Sequence, residues 1–254
     1  MYDAISNDYD RFINWPARLT AEMPFLEGQI QKAAGPGSRV LDAACGTGMH
    51  AVALAQLGYQ TAGADMSAGM IERAHKNAST AGVSVRFETA GFGSLANTFG
   101  KQAFDTLLCL GNSLPHIVEK SALVATLADF AACLRPGGLI VLQNRNFDAV
   151  LARRERWMEP QTYQHHDSEW LFLRFYDFDA DGLLSFHMIT LHRQGTSSWT
   201  QQVTTTRLNP LRQDELAEAL QEAGFTGITS YGSMSPVPFD RTDSGNLVIT
   251  AISG

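Results

Sequence analysis

Through residue 145 the chain repeats one rhythm: a short apolar run, then a segment with apolar residues at helical spacing, then another apolar run. Residues 38–43 read as a buried strand, 49–57 as a helix, 60–64 as a second strand and 68–81 as a second helix. The pattern continues with strands at 83–89 and 105–110, a helix over 120–134 and, past the breaker Pro136-Gly137-Gly138, a fifth strand at 139–143. Strands separated by helices predict a parallel sheet with helices on both faces. Ahead of it, residues 2–34 read as two short helices broken near Pro16, placed to fold over the sheet.

After the fifth strand the rhythm changes. Residues 170–178, 183–192 and 199–208 are strand-like runs with no helix between them, and Asp181-Gly182 and Gly195 supply the turns. They predict a three-stranded antiparallel insertion. A helix over 211–223, stopped by Gly224, and strands at 226–231 and 246–252 complete a seven-stranded, mostly parallel sheet. The expected division is a helical cover at 1–35, an α/β core at 36–148 and 209–254, and an insertion at 149–208 forming a lid or substrate wall.

Candidate chemistry begins at Val40-Leu41-Asp42-Ala43-Ala44-Cys45-Gly46-Thr47-Gly48. Glycines between a strand and a helix let the backbone approach a nucleotide-like ligand. Gly46, Gly48 and Ala51 also satisfy the dinucleotide fingerprint, so a nicotinamide or flavin enzyme has to be weighed. Asp42, inside the strand end, and the single visible mononucleotide-binding half favour S-adenosylmethionine, whose sulfonium and ammonium suit an acidic neighbour. Asp65 ends the second strand where a carboxylate accepts from ribose hydroxyls, with Ser67 better placed to cap the next helix. Met66 reads as an adenine contact, against the alternative of a core methionine.

Composition narrows the partners. With 19 basic against 26 acidic residues the net charge is −7, a poor match to phosphate backbones or anionic membranes. No apolar stretch reaches membrane-spanning length and the first residues lack signal-peptide character, so the expected location is the cytoplasm. Cys45, Cys109 and Cys133, isolated in apolar segments, read as buried thiols. His165-His166-Asp167 is a weak metal signature, and the expectation is that no metal is used. Whether the chain forms a homo-oligomer stays open.

Four motifs in order, Val40 to Gly48, Gly63-Ala64-Asp65-Met66-Ser67, Phe104-Asp105-Thr106-Leu107-Leu108-Cys109-Leu110 and Leu134-Arg135-Pro136-Gly137-Gly138, resemble the class I S-adenosylmethionine-dependent methyltransferases. The resemblance implies a Rossmann-like fold and S-adenosylhomocysteine as product. A narrower likeness is carried by Leu110-Gly111-Asn112-Ser113-Leu114-Pro115-His116, by Asn144-Arg145-Asn146-Phe147-Asp148 and by residues 9–18. These are similar to the glycine and sarcosine N-methyltransferases. That likeness implies that Asn112 and Arg145 hold the substrate, the arginine through its carboxylate, that Tyr2 approaches the methyl group, and that Tyr9 and Arg18 contact the donor. Ala43, Gly46, Gly48, Gly91, Phe92 and Leu110 complete the expected donor set. Gly91-Phe92 departs from the family, which there places an amide or carboxylate before an aromatic, and Tyr163, Tyr176 and Tyr231 match its pocket tyrosines only loosely.

The chemistry expected is in-line transfer of a methyl group to a small amine, with O-methylation of a carboxylate-bearing metabolite as the alternative. Positioning and exclusion of water carry such a reaction, without an obligatory nucleophile. His116 is weighed equally as a proton acceptor and as a structural residue at a helix end. The expected alternative to Arg145 gripping a carboxylate is a surface ion pair with Asp148. An oxidoreductase, which would need a second nucleotide-binding half, and a non-catalytic donor-binding protein are the remaining readings.

Overall fold

The computed structural model describes residues 9–254. Residues 9–12 are helical, and the helix after them is α1 (Trp15–Ala34). The expected break lies at residues 13–14, so Pro16 opens α1 instead of ending its predecessor, because a missing N–H costs nothing in a first turn. The second helix is longer than expected, 20 residues, and continues through Pro24. Asn14 caps it by accepting from the Ala17 N–H at 3.2 Å. Its Phe25, Leu26 and Ile30 pack on Val40, Leu108 and Val141 of the sheet.

The core alternates β1 (Arg39–Asp42), α2 (Met49–Gln56), β2 (Gln60–Asp65), α3 (Ala68–Ala81), β3 (Arg86–Thr89), α4 (Leu95–Phe99), β4 (Phe104–Cys109), α5 (Lys120–Cys133) and β5 (Leu134–Arg145). The fifth strand starts earlier than the Pro136-Gly137-Gly138 breaker predicted, since Leu134 already pairs with Phe104 across a register shift. Then come α6 (Phe147–Arg153), β6 (Gln161–His165), β7 (Ser168–Phe178), β8 (Leu184–Gln194), β9 (Thr200–Leu208), α7 (Gln213–Glu222), β10 (Phe225–Tyr231) and β11 (Asn246–Ser253).

Seven strands form one sheet in the order β10-β11-β5-β4-β1-β2-β3. It is parallel except for β11, which runs against both β5 and β10. This is the Rossmann-like architecture that the resemblance implied. The chain winds outward from β1 to β3, then returns to place β4 on the other side of β1, so the carboxyl ends of β1 and β4 flank the switch point where open α/β sheets bind ligands.

The antiparallel sheet has four strands, β6-β7-β8-β9, not the three expected. The additional strand, β6, is polar and exposed and has no apolar alternation to announce it. Trp170, Phe172 and Tyr176 of β7 and Met188 of β8 are buried, forming the sheet's inward face. Trp170, Phe172 and Met188 pack with Met70 of α3, and Tyr9 and Phe12 lean on the same cluster.

Candidate active site

The loop after β1 owes its shape to two acceptors on one side chain. Asp65, at the end of β2, accepts from the Gly46 N–H through one carboxylate oxygen and from the Ser67 N–H through the other, both at 2.9 Å. Ser67 caps α3 by accepting from the Met70 N–H at 3.2 Å. Gly46 and Gly48 have φ of +54° and +76°, a region that penalises side chains. Their reasons for being glycine differ. A Cβ on Gly48 would lie 2.6 Å from Phe87 and 2.9 Å from Ala74, so that glycine serves packing of α2 against α3 and β3. A Cβ on Gly46 would have the Tyr9 ring as its nearest neighbour among the described residues, at an ordinary contact distance of 3.6 Å.

Residues 9–22 are pinned to this loop. Asp10 accepts from the Trp15 indole at 2.8 Å and the Thr47 hydroxyl at 2.6 Å, and pairs with Arg73 at 2.8 Å. Arg18 pairs with Glu22 at 3.1 Å, and His50 lies 2.7 Å from the same carboxylate. Burial pushes Glu22 toward its neutral form, but the His50 hydrogen bond and the Arg18 charge outweigh it and hold its pKa below the ordinary value. Burial drives the Tyr9 phenol up to about 12, against the opposing charge of Arg18. Burial likewise raises Asp42 to about 6, although His50 pulls the other way, and one oxygen of this carboxylate has no hydrogen-bond partner.

Two cavities meet here. The first, about 350 Å³, lies over the carboxyl ends of β1 to β4, and Tyr9, Ala43, Gly46, Asp65, Met66, Gly91, Phe92 and Leu110 are on its wall. The Met66 side chain is 75% exposed, which sets aside the core-methionine alternative. The second, about 470 Å³, lies between the two sheets, with Arg18, Asn112 and Arg145 on one side and Tyr176 on the other. Tyr9, Gly111 and His116 line both, marking where the cavities join. Asp42 and Gly48 line neither. Tyr2 lies outside the described residues.

Asn112 and Arg145 are brought together by backbone as well as by position. Asn112, at φ +66°, accepts the Arg145 N–H through its side-chain oxygen at 3.0 Å. The Arg145 guanidinium is 3.1 Å from Glu155 and 5.8 Å from the centre of the Tyr176 ring. The expected alternative partner, Asp148, instead lies 3.8 Å from Arg241 and accepts the Gln213 N–H, because α6 turns its carboxylate toward α7. Of the three loosely matched tyrosines, Tyr176 lines the second cavity, while Tyr163 packs on Trp170 and Tyr231 on Phe25.

Sequence reasoning missed Gln143 and Asn246. Gln143 accepts the Gly111 N–H at 2.7 Å and donates to Asn246 at 2.9 Å, fixing the loop where the cavities join. A glutamine at an inward position of an apolar strand was the available signal. His165 and His166 lie at the β6–β7 hairpin, and among the described residues no group of three or more His, Cys, Asp or Glu is gathered to hold a metal. No helix among the described residues is long and apolar enough to cross a membrane, and the three cysteines are buried free thiols.

Comparison with known proteins agrees with this architecture. Residues 40–138 match the family described as a methyltransferase domain. The glycine/sarcosine N-methyltransferase of Aphanothece halophytica is 31% identical over 225 residues, spanning 88% of this chain and 79% of that one. The enzyme of the same name from Halorhodospira halochloris is 29% identical, over 91% and 80%. An S-adenosylmethionine-dependent methyltransferase from Clostridium acetobutylicum shares the fold, with a TM-score of 0.81 at 16% identity, covering 100% of this chain and 99% of that one. The chain therefore belongs to the family of the glycine/sarcosine N-methyltransferases and is an S-adenosylmethionine-dependent methyltransferase.

Proposed function

We propose that the protein methylates the amine of a small amino acid, and that the first cavity takes the adenosyl part of the donor while the second takes the acceptor. The observation that carries this reading is the Asn112–Arg145 pair beside the junction of the cavities, a guanidinium held at a strand end where it can fork onto a carboxylate. The relatives named as glycine/sarcosine N-methyltransferases support the same class of acceptor.

The residues fit the donor. Met66, Gly91, Phe92 and Leu110 offer an apolar slot for adenine, and Asp65 places a carboxylate on the wall of the same cavity, the chemistry that ribose hydroxyls donate to. Arg18 and Glu22, on the wall of the second cavity, provide opposite charges for the methionyl carboxylate and ammonium. Asp42 acts from beneath, its unpartnered oxygen adding negative potential. When bound, the donor supplies an electrophilic methyl whose C–S bond breaks as the bond to the acceptor nitrogen forms. The chain's part is to hold the amine in line, to keep water out with residues 9–34 and the antiparallel sheet, and to leave the amine unprotonated.

Asp65→Ala is expected to weaken donor binding by about 1.5 to 3 kcal/mol, and Asp65→Asn by less, since the amide oxygen can still accept one backbone N–H. Calorimetric titration with S-adenosylhomocysteine checks this. An unchanged Kd in Asp65→Ala would remove the ribose assignment.

His116 lines both cavities, and burial pulls its pKa down to about 4. It is neutral at physiological pH and too weak a base to take a proton from an ammonium group. In this reading the acceptor therefore loses its proton to solvent and not to His116. The pH profile of kcat/KM is expected to rise toward the amine's own pKa, and an inflection near 6 belongs to the Asp42 carboxyl, which burial holds there, and not to a histidine. His116→Asn should leave that limb in place, and an inflection near neutrality that vanishes in the variant would make His116 the base. The overall test is product mass. Incubation with the donor and a panel of small amino acids should give a mass gain on nitrogen for at least one, and gain only on oxygen would favour the O-methylation alternative.

A further inference from the structure

One cation in the second cavity has no role in the reading above. Arg174 lies at an inward position of β7, between Phe172 and Tyr176 in the two-residue period that buries both, and opposite Met188 of β8. Its guanidinium lies 4.6 Å over the Phe12 ring, and its Nε is buried with no hydrogen-bond partner. Four other arginines on or around this sheet are paired with carboxylates: Arg145 with Glu155, Arg156 with Asp177, Arg193 with Glu169 and Arg207 with Asp181. Among the described residues Arg174 has no such carboxylate. Burial, reinforced by the charge of Arg145, lowers its pKa from the usual arginine value, yet an arginine keeps its proton under these conditions.

A fixed cation among apolar and aromatic groups in a cavity wall is arranged for an anion that arrives from outside. The second cavity, about 470 Å³, belongs to the size range that encloses a drug-sized molecule, so glycine would leave most of it unfilled even with the donor's methionyl tail at the Arg18 end. Between Arg145 and Arg174 the wall includes Tyr176, Phe186 and Met188, suited to an apolar arm.

We propose that Arg174 is a specificity-determining residue that binds a second anionic group of the acceptor, so that the preferred acceptor is an amino acid with two acidic groups joined by an apolar arm, one held by Arg145 and the other by Arg174. This rests on the assignment of the second cavity to an amino-acid acceptor. A hydrogen-bonded ion pair in so desolvated a place discriminates strongly, because an acceptor lacking the second acid leaves the cation unpaired.

The test compares glycine with L-aspartate, L-glutamate and L-2-aminoadipate, both as methyl acceptors and as ligands of the protein saturated with S-adenosylhomocysteine. In the unmodified enzyme at least one of the three diacids should exceed glycine by about tenfold or more in kcat/KM and in affinity. Arg174→Met, which keeps the stem's volume, should cost that diacid about 100-fold while changing glycine and donor affinity less than about threefold. Arg174→Lys should fall between, and it replaces the methionine variant if the latter does not retain donor binding. Diacids no better than glycine, or equal losses for glycine and diacid, would overturn the role of Arg174 and leave the amino-acid reading intact. Failure of every amino acid, glycine included, to gain a methyl group on nitrogen would overturn the amino-acid reading and this inference with it.

Discussion

Gly48→Val is expected to unfold the protein or cost it about 2 to 5 kcal/mol, whereas Gly46→Val is expected to spare the fold and abolish useful donor binding. The two glycines stand either side of Thr47 in the same turn and both have positive φ, so backbone strain penalises both by roughly 1 to 2 kcal/mol. What separates them is where a side chain would go. From Gly48 the first carbon would enter the Phe87 ring at 2.6 Å and touch Ala74 at 2.9 Å. Phe87 is buried with Ala51, Ile71 and Ala78 and has nowhere to move. From Gly46 its nearest neighbour among the described residues would be the Tyr9 ring at 3.6 Å, on the wall of the first cavity. The isopropyl group would then occupy room that we assign to the donor. Denaturant melts, with slope compared alongside midpoint, separate the fold effect from titrations that read donor affinity. A Gly48→Val protein as stable as the unmodified one would refute the packing argument. Retained donor affinity in a folded Gly46→Val protein would refute the placement of the donor.

That contrast shows what a glycine-rich signature can and cannot disclose. The spacing from Asp42 to Gly48 identifies the turn, because positive φ and close packing both demand glycine there, but it cannot assign each glycine to ligand or to scaffold. The same holds for Asp42. Its position at the strand end predicts contact with the donor's cation, yet the side chain is 2% exposed and lines neither cavity, because strand alternation turns it beneath the loop. The position of Asp65 at the end of β2 was legible, while what it does in the structure, holding the Gly46 and Ser67 amides, depends on two loops converging and has no local signature. The parallel core was legible because buried strands and amphipathic helices carry opposite periodicities. Strand β6 was not, since an edge strand of Gln, Thr, Tyr, Gln and His buries too little to leave a pattern. Arg174 was visible as the one charge at an inward position of β7, but its lack of a partner needed the whole neighbourhood.

Arg145→Ala is expected to lower kcat/KM for the amino-acid acceptor by an amount equivalent to about 2 to 5 kcal/mol while leaving the donor Kd nearly intact. The separation follows from placement. Arg145 lines the second cavity alone, whereas the residues we assign to adenosine line the first. Its strand end is fixed by the Asn112 hydrogen bond to its N–H, which alanine retains, so the loop at the junction should keep its shape. The partner left behind, Glu155, is 44% exposed and can be solvated, so the loss measures the acceptor and not a stranded carboxylate. Arg145→Lys should rescue poorly, since a point charge lacks the planar fork that orients a carboxylate and, through it, the adjacent amine. The decisive comparison replaces the acceptor's α-carboxylate by an amide. If Arg145 grips that carboxylate, the amide should be a poor substrate for the unmodified enzyme, and the alanine variant should barely distinguish amide from acid, the two changes together costing little more than either alone. Equal losses from the amide in both proteins would mean that the guanidinium and the carboxylate do not meet, and the ion pair with Glu155 would then be the whole of what Arg145 does.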